Sequence, residues 1–193
     1  QGLANVFKQI GVGNFGQVHG EFGHDGFMHA LGKGLAQVAE RCGGRGDDKL
    51  SGGAGSDLLV GGTGADTLSG GAFDGDVFAF LVAGDSRPDN HDTITDFREH
   101  VDTVAPPPGT FEDTALHYPD TIALTLIDAN TNARGNQAFS FAGQSADAVA
   151  NGVTWHYDAG NTIVQADVNG DATADFEIVL TGLHSLTQSD FLL

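Results

Sequence analysis

In the central segment a leucine recurs at every ninth position. Leu50, Leu59 and Leu68 each follow an aspartate by two places, and glycines and small polar residues fill the gaps. A period of nine fits neither an α-helix nor a simple strand, so it is read as a repeating unit of turn plus short strand. Downstream the pattern becomes an alternation. Val153, Trp155 and Tyr157 share one face, as do Phe176, Ile178 and Leu180, which is the period of a half-buried strand. Strands are expected at Ala138 to Ala142, Val153 to Asp158, Thr162 to Asp167 and Asp175 to Leu180. Asp158-Ala159-Gly160-Asn161 is a hairpin turn between two of them. Upstream, Phe27, Leu31, Leu35 and Val38 recur at helical spacing behind Asp25, predicting a helix from Gly26 to Glu40. Gly32 and Gly34 weaken it by about 1 kcal/mol each. Pro106, Pro107 and Pro108 exclude a central strand, so 103–120 is expected to be a loop.

The nine-residue units align without gaps. Gly43-Gly44-Arg45-Gly46-Asp47-Asp48-Lys49-Leu50-Ser51 is followed by the units 52–60 and 61–69, each with aspartate sixth and leucine eighth. A fourth begins at Gly70-Gly71-Ala72 but carries Phe73 where the third glycine belongs, with one residue inserted before Asp76-Val77-Phe78. Glycine supplies the positive φ values of the six-residue turn, and the last three residues are expected to form a strand that buries the leucine. Two units make one 18-residue coil, so alternate turns stack on opposite edges. Coils about 4.8 Å apart bring Asp48 near Asp66 and Asp57 near Asp76. Two carboxylates about 4 Å apart repel by about 4 kcal/mol at an effective dielectric near 20. A bound cation reverses the sign. Oxygen-only donors in a flexible cage suit Ca²⁺ better than Mg²⁺, and with no site in the unfolded chain, binding becomes folding energy.

Charge agrees with this. Asp and Glu number 26 against 8 Lys and Arg, for a formal charge of −18. That balance argues against nucleic-acid partners and against anionic membranes. Apolar residues make up 40% of the chain, with 13 Phe, too many for disorder throughout. Cys42 is the single cysteine, so no internal disulfide can staple the fold, and metal is an alternative staple. No apolar run is long enough to form a transmembrane segment. The start, Gln1-Gly2-Leu3-Ala4-Asn5, has no Sec-type signal pattern and no initiator methionine, so the chain reads as a piece of a longer polypeptide.

Residues 43–80 resemble the RTX, or haemolysin-type, calcium-binding repeats of bacterial proteins exported by type I secretion. Further segments resemble the C-terminal domain of serralysin-type metalloproteases: Asp92-Thr93-Ile94-Thr95-Asp96-Phe97, Ile127 to Thr131, Gly135 to Phe139, Val164 to Asp171 and Leu180 to His184. The resemblance implies a mainly β fold, with a parallel β-roll followed by an antiparallel β C-terminal domain. Three segments are expected: 1–42, partly helical and of unknown role; 43–82, the calcium-binding roll; and 83–193, the C-terminal β domain with its export signal. It also implies how calcium ligands divide between paired turns. One site takes Gly44, Gly46, Asp48, Gly61, Thr63 and Asp66. The other takes Gly53, Gly55, Asp57, Gly70, Ala72 and Asp76. The last residues, Asp190-Phe191-Leu192-Leu193, look like an uncleaved type I secretion signal and also read as a final strand. The chain is thus expected to be secreted and extracellular. It departs from the proteases in lacking H-E-x-x-H, so no catalytic residue is assigned.

Other candidates are weaker. Asp167, Asn169, Asp171 and Asp175 have a spacing that converges oxygens on an extra metal ion, or else form an acidic turn. Asp92, Asp96 and Asp102 read as a further ion site or as a solvated acidic loop, and the loop is preferred. His19, His24 and His29 do not share a helical face and read as surface histidines. No nucleophile elbow accompanies the serines. The alternative reading is the tail of an extracellular enzyme (metalloprotease, lipase or polysaccharide epimerase) or of an adhesin; upstream sequence discriminates between them.

Overall fold

Each repeat contributes one parallel strand, and consecutive strands alternate between two sheets. The computed structural model describes residues 40–72, 75–100 and 118–193, all within one compact unit, Ala36–Leu193. The predicted helix lies outside the described residues except for Glu40, which begins a strand. The repeats form β1 (Glu40–Arg45), β2 (Lys49–Ala54), β3 (Leu58–Thr63) and β4 (Thr67–Ala72). After them come β5 (Val77–Ala79), β6 (Asp92–Ile94), β7 (Thr121–Ala123) and β8 (Ser140–Gln144). β9 (Gly152–Asp158), β10 (Asn161–Ala166), β11 (Phe176–Leu180) and β12 (Phe191–Leu192) complete the series.

The strands order as β1-β3-β5-β7-β12 in one sheet and β2-β4-β6-β11-β10-β9-β8 in the other. Odd and even strands up to β7 therefore wind as a β-roll. In the repeats the strands are six residues long, not three. The glycine pair that opens each unit continues the ladder, with Gly44 opposite Gly62 and Gly53 opposite Gly71. Glycine has no side chain to keep the backbones apart, so what looked like turn also pairs.

The roll does not stop at the last repeat. β6 pairs in parallel with β4, and β7 with β5. Among the described strands, the antiparallel pairing expected downstream joins β9, β10 and β11. β11 is parallel to β6, β12 to β7, and β8 to β9 across a bulge between Phe141 and Gly143. The C-terminal strands thus add to open edges of the roll. The β9–β10 turn is the predicted one: Asp158 faces Asn161, and Ala159 and Gly160 take positive φ of 47° and 86°, as a tight hairpin requires.

One core runs through both sheets. Leu59, Leu68, Phe78, Ile94 and Ile122 are fully buried and stack along the roll. Phe176, Ile178 and Leu180 join them, with Phe80 and Phe176 edge to face at 5.0 Å. Val153 and Trp155 are buried, whereas Tyr157 lies beyond the core and is exposed. No helix of the described residues is long and apolar enough to cross a membrane.

Candidate metal centre

The sixth-position aspartates form two ladders along the edges of the roll. On one edge the Asp48 N–H donates to Asp66 Oδ1 at 2.8 Å, across 18 residues. The Asp66 N–H donates in turn to Asp92 Oδ1 at 2.8 Å. On the other edge the Asp57 N–H reaches Asp76 Oδ1 at 2.8 Å, and the Asp76 N–H reaches Asp120 Oδ1 at 2.9 Å. Every rung uses one carboxylate oxygen to hold the backbone of the coil before it.

The second oxygen turns back over its own turn. A Cβ added at Gly43 would sit 2.7 Å from Asp48 Oδ2, and one at Gly52 would sit 2.5 Å from Asp57 Oδ2. The first glycine of each unit is therefore required by the carboxylate folded over it. Gly46 is required for a different reason: it has open space around it but a φ of +97°, which side chains rarely adopt.

Carbonyls gather beside these carboxylates. The Gly61 carbonyl lies 2.6 Å from the Cβ position at Gly43, and that of Gly70 lies 2.5 Å from the one at Gly52. The Gly46 N–H donates to the Thr63 carbonyl at 2.7 Å. So Gly46 meets Thr63 and Asp48 meets Asp66 across neighbouring coils, with Gly44 in register with Gly62, next to Gly61. Gly53, Gly55 and Asp57 stand in the coil beside Gly70, Ala72 and Asp76, with Ala54 in register with Ala72.

The arrangement concentrates buried negative charge. Asp66 and Asp92 are within 1% of complete burial, and Oδ2 of Asp48, Asp66 and Asp92 is buried without a hydrogen-bond donor. An ionised carboxylate in that position is costly unless paired. Burial, then repulsion from Asp48, Asp47 and Asp85, raises the Asp66 carboxyl above its ordinary range against the hydrogen bond from Asp48. Burial first, then Asp66 and Asp85, pushes Asp92 up to about 7. Burial, with Asp120 and Asp57 adding repulsion, pushes Asp76 up to about 6. The donors are hard oxygens, carboxylate and carbonyl, and they fit calcium. Among the described residues no three His, Cys, Asp or Glu side chains converge as a metal cluster, so such a site must draw on backbone carbonyls.

Residues 43–77 match the family model of the RTX calcium-binding nonapeptide repeat in four copies. These repeats bind calcium. The irregular fourth unit falls within the match, consistent with Asp76 keeping its rung. Two solved structures are similar to the chain over most of its length. One is the AlgE6R3 subunit of the mannuronan C5-epimerase of Azotobacter vinelandii, 28% identical over 82% of this chain and 75% of that one, with a TM-score of 0.49. The other is the AlgE6R2 subunit of the same enzyme, 19% identical over 82% and 92%, with a TM-score of 0.47. No curated protein matches the chain.

Three residues at the ladder ends lie outside the expected ligand sets: Asp92, expected in a further ion site or, by preference, a solvated acidic loop; Asp120, at the end of the expected 103–120 loop; and Arg98. A signal for the aspartates was present. Asp92-Thr93-Ile94 and Asp120-Thr121-Ile122 repeat the aspartate-x-apolar end of Asp66-Thr67-Leu68, without its glycines. Asp96 caps the fourth unit, accepting from Ser69 Oγ at 2.7 Å and from the Gly70 and Gly71 N–H groups at 3.0 Å.

The Asp167 loop is closed on itself. Asp167 is buried and accepts from Asn169 at 2.8 Å, from Gly170 at 2.6 Å, and from Ala172. Asp175 Oδ2 accepts from Val168 at 3.0 Å and from Asn169 Nδ2 at 3.1 Å. Asn169 Oδ1 and Asp171 Oδ1 accept from Asp171 and Thr173 N–H groups at 2.9 and 2.8 Å. Cys42 is half-buried in β1 opposite Val60. His19, His24, His29 and Asp102 lie outside the described residues.

Proposed function

We propose that the chain is a calcium-dependent folding module of a secreted extracellular protein, with no catalytic centre of its own. In calcium-poor surroundings the acidic turns repel one another and the roll stays open. In calcium the turns close, strands β1 to β7 stack, and residues 83–193 complete both sheets. Gly44, Gly46, Asp48, Gly61, Thr63 and Asp66 hold one ion. Gly53, Gly55, Asp57, Gly70, Ala72 and Asp76 hold another. Residues 43–82 form the calcium-dependent part, 83–193 the part that docks on it, and 1–42 a separate segment. Asp190, Phe191, Leu192 and Leu193 serve as a type I export signal before folding, and Phe191 and Leu192 form strand β12 afterwards. The resemblance to the C-terminal domain of serralysin-type proteases belongs to the same reading.

The observation that carries this reading is the pairing of registered repeats with buried carboxylate oxygens lacking a donor at Asp48, Asp66 and Asp92. Calcium supplies the positive charge these oxygens need, and the free energy of binding becomes folding free energy. The test is circular dichroism from EDTA to millimolar calcium, with calorimetry to count ions. A calcium-induced gain of β signal is expected; identical spectra at both extremes overturn the reading.

A further inference from the structure

The two aspartate ladders end differently. On the first edge the last rung is Asp66 over Asp92, and Oδ2 of both is buried with no donor. On the second edge the last rung is Asp76 over Asp120, and there a guanidinium is already in place. Arg98 Nη2 lies 3.0 Å from Asp120 Oδ1 and 3.4 Å from Asp76 Oδ2. The Arg98 backbone N–H donates to Asp120 Oδ2 at 2.9 Å, so both oxygens of Asp120 are engaged. Both aspartates are 1% exposed and the arginine side chain is 23% exposed.

Arg98 is positioned by the chain that leaves β6. Asp96 is fixed on the Gly70 and Gly71 N–H groups, and the buried Phe97 packs on Phe78 at 6.3 Å between ring centres. The Asp120 N–H donates back to the Arg98 carbonyl at 2.8 Å. The guanidinium is thus held between two carboxylates by backbone contacts on both sides. Its single positive charge lies across the same step of the ladder that, one coil earlier, joins Asp57 to Asp76.

We infer that Arg98 is a built-in substitute for a calcium ion at the Asp76–Asp120 step. It closes that edge without metal and lowers by one the number of ions the roll would otherwise take. The inference rests on calcium binding to the repeats and deepens it, by assigning which steps of the ladders need an ion. The first edge, ending on Asp92, stays metal-dependent to its last rung. The second edge needs calcium only between Asp57 and Asp76, and its far end can order in calcium-free solution.

The test counts calcium by equilibrium dialysis and calorimetry on the full chain. Arg98→Gln removes the charge and leaves Asp76 and Asp120 facing each other. It is expected to bind one more calcium ion per chain than wild type. Arg98→Lys keeps a cation there and is expected to keep the wild-type count. Arg98→Gln combined with Asp120→Asn removes both charges and is expected to return to the wild-type count. An unchanged count in Arg98→Gln overturns the inference. So does a single variant that stays unfolded at saturating calcium while the double variant folds, because the ion would then be unable to replace the guanidinium. If wild type itself binds no calcium, the proposed function fails, and that result is distinct from either of these.

Discussion

Asp66→Asn should act in opposite directions with and without calcium. Asp66 is the one rung of its ladder with a neighbour on each side, Asp48 before and Asp92 after. Asparagine keeps an oxygen where the Asp48 N–H donates at 2.8 Å, so the backbone rung survives. It places an amide NH₂, which cannot ligate a cation, where the buried Oδ2 stood. Without calcium the substitution removes a buried charge repelled by its neighbours, a gain of at most about 4 kcal/mol per fully ionised neighbour about 4 Å away. With calcium it removes one charged ligand, and ligand charge tunes calcium affinity strongly; a loss of about 1.4–2.8 kcal/mol is expected, which is a calcium midpoint about 10- to 100-fold higher. The assay is a calcium titration followed by far-UV circular dichroism, with chemical denaturation in EDTA and at saturating calcium. The variant should keep at least as much structure as wild type in EDTA and be less stable than wild type in calcium. A variant destabilised equally in both conditions would show that Asp66 acts only through packing, and the charge argument would be wrong.

Three other outcomes follow from the same geometry. In EDTA the fold should weaken as pH rises. Asp92 and Asp76 are held at about 7 and about 6 against an ordinary 3.8, so the folded chain binds protons more tightly than the unfolded one. Their contribution is lost between about pH 4 and pH 7, amounting to about 4 and 3 kcal/mol at most; circular dichroism that strengthens with pH in EDTA would refute it. Gly62→Ala should cost clearly more than Gly46→Ala at saturating calcium, by denaturant midpoint. Both glycines have positive φ near 98°, costing about 1–3 kcal/mol for a side chain, but only the Gly62 Cβ would strike the Gly44 carbonyl of the coil before it; equal losses would argue against stacked coils. Phe191→Ala should destabilise the calcium-bound fold by about 3–5 kcal/mol, because Phe191 is buried, packs on Phe141 at 5.5 Å and carries the β12 pairing; a loss under 1 kcal/mol would mean that β12 is not part of the cooperative fold.

The repeats were legible because glycine leaves a mark that survives without structure. Three units in phase place Asp48, Asp57 and Asp66 at equivalent points, and the 18-residue coil follows from counting. What came after was hidden by variable spacing. The rungs are 18 and 19 residues apart within the repeats but 26 apart at Asp66–Asp92 and 44 at Asp76–Asp120. A coil needs only an aspartate and an apolar residue two places later at its edge, and the chain between coils can be any length. Periodicity detects equal lengths, so it ends where the lengths change, although the ladder does not. Arg98 left no signal of its own, since a lone arginine in a loop acquires meaning only from the two carboxylates that the fold brings to it. The sheet downstream was expected to be antiparallel throughout because hairpin turns are visible in sequence. The parallel additions of β11 to β6 and β12 to β7 join segments far apart in the chain, and no local pattern marks them.

Strand β12 makes the end of the chain part of the finished wall. Asp190 is wholly buried, receiving the His100 N–H and the Thr187 N–H and hydroxyl, and Phe191 and Leu192 lie in register with Ile122 and Ala123. If Asp190, Phe191, Leu192 and Leu193 are the address read by an exporter, closing the roll draws that address into the wall, with Asp190 and Phe191 buried and the two leucines half-buried. Delivery would then run in one direction, since a chain that has closed in calcium no longer offers its label freely.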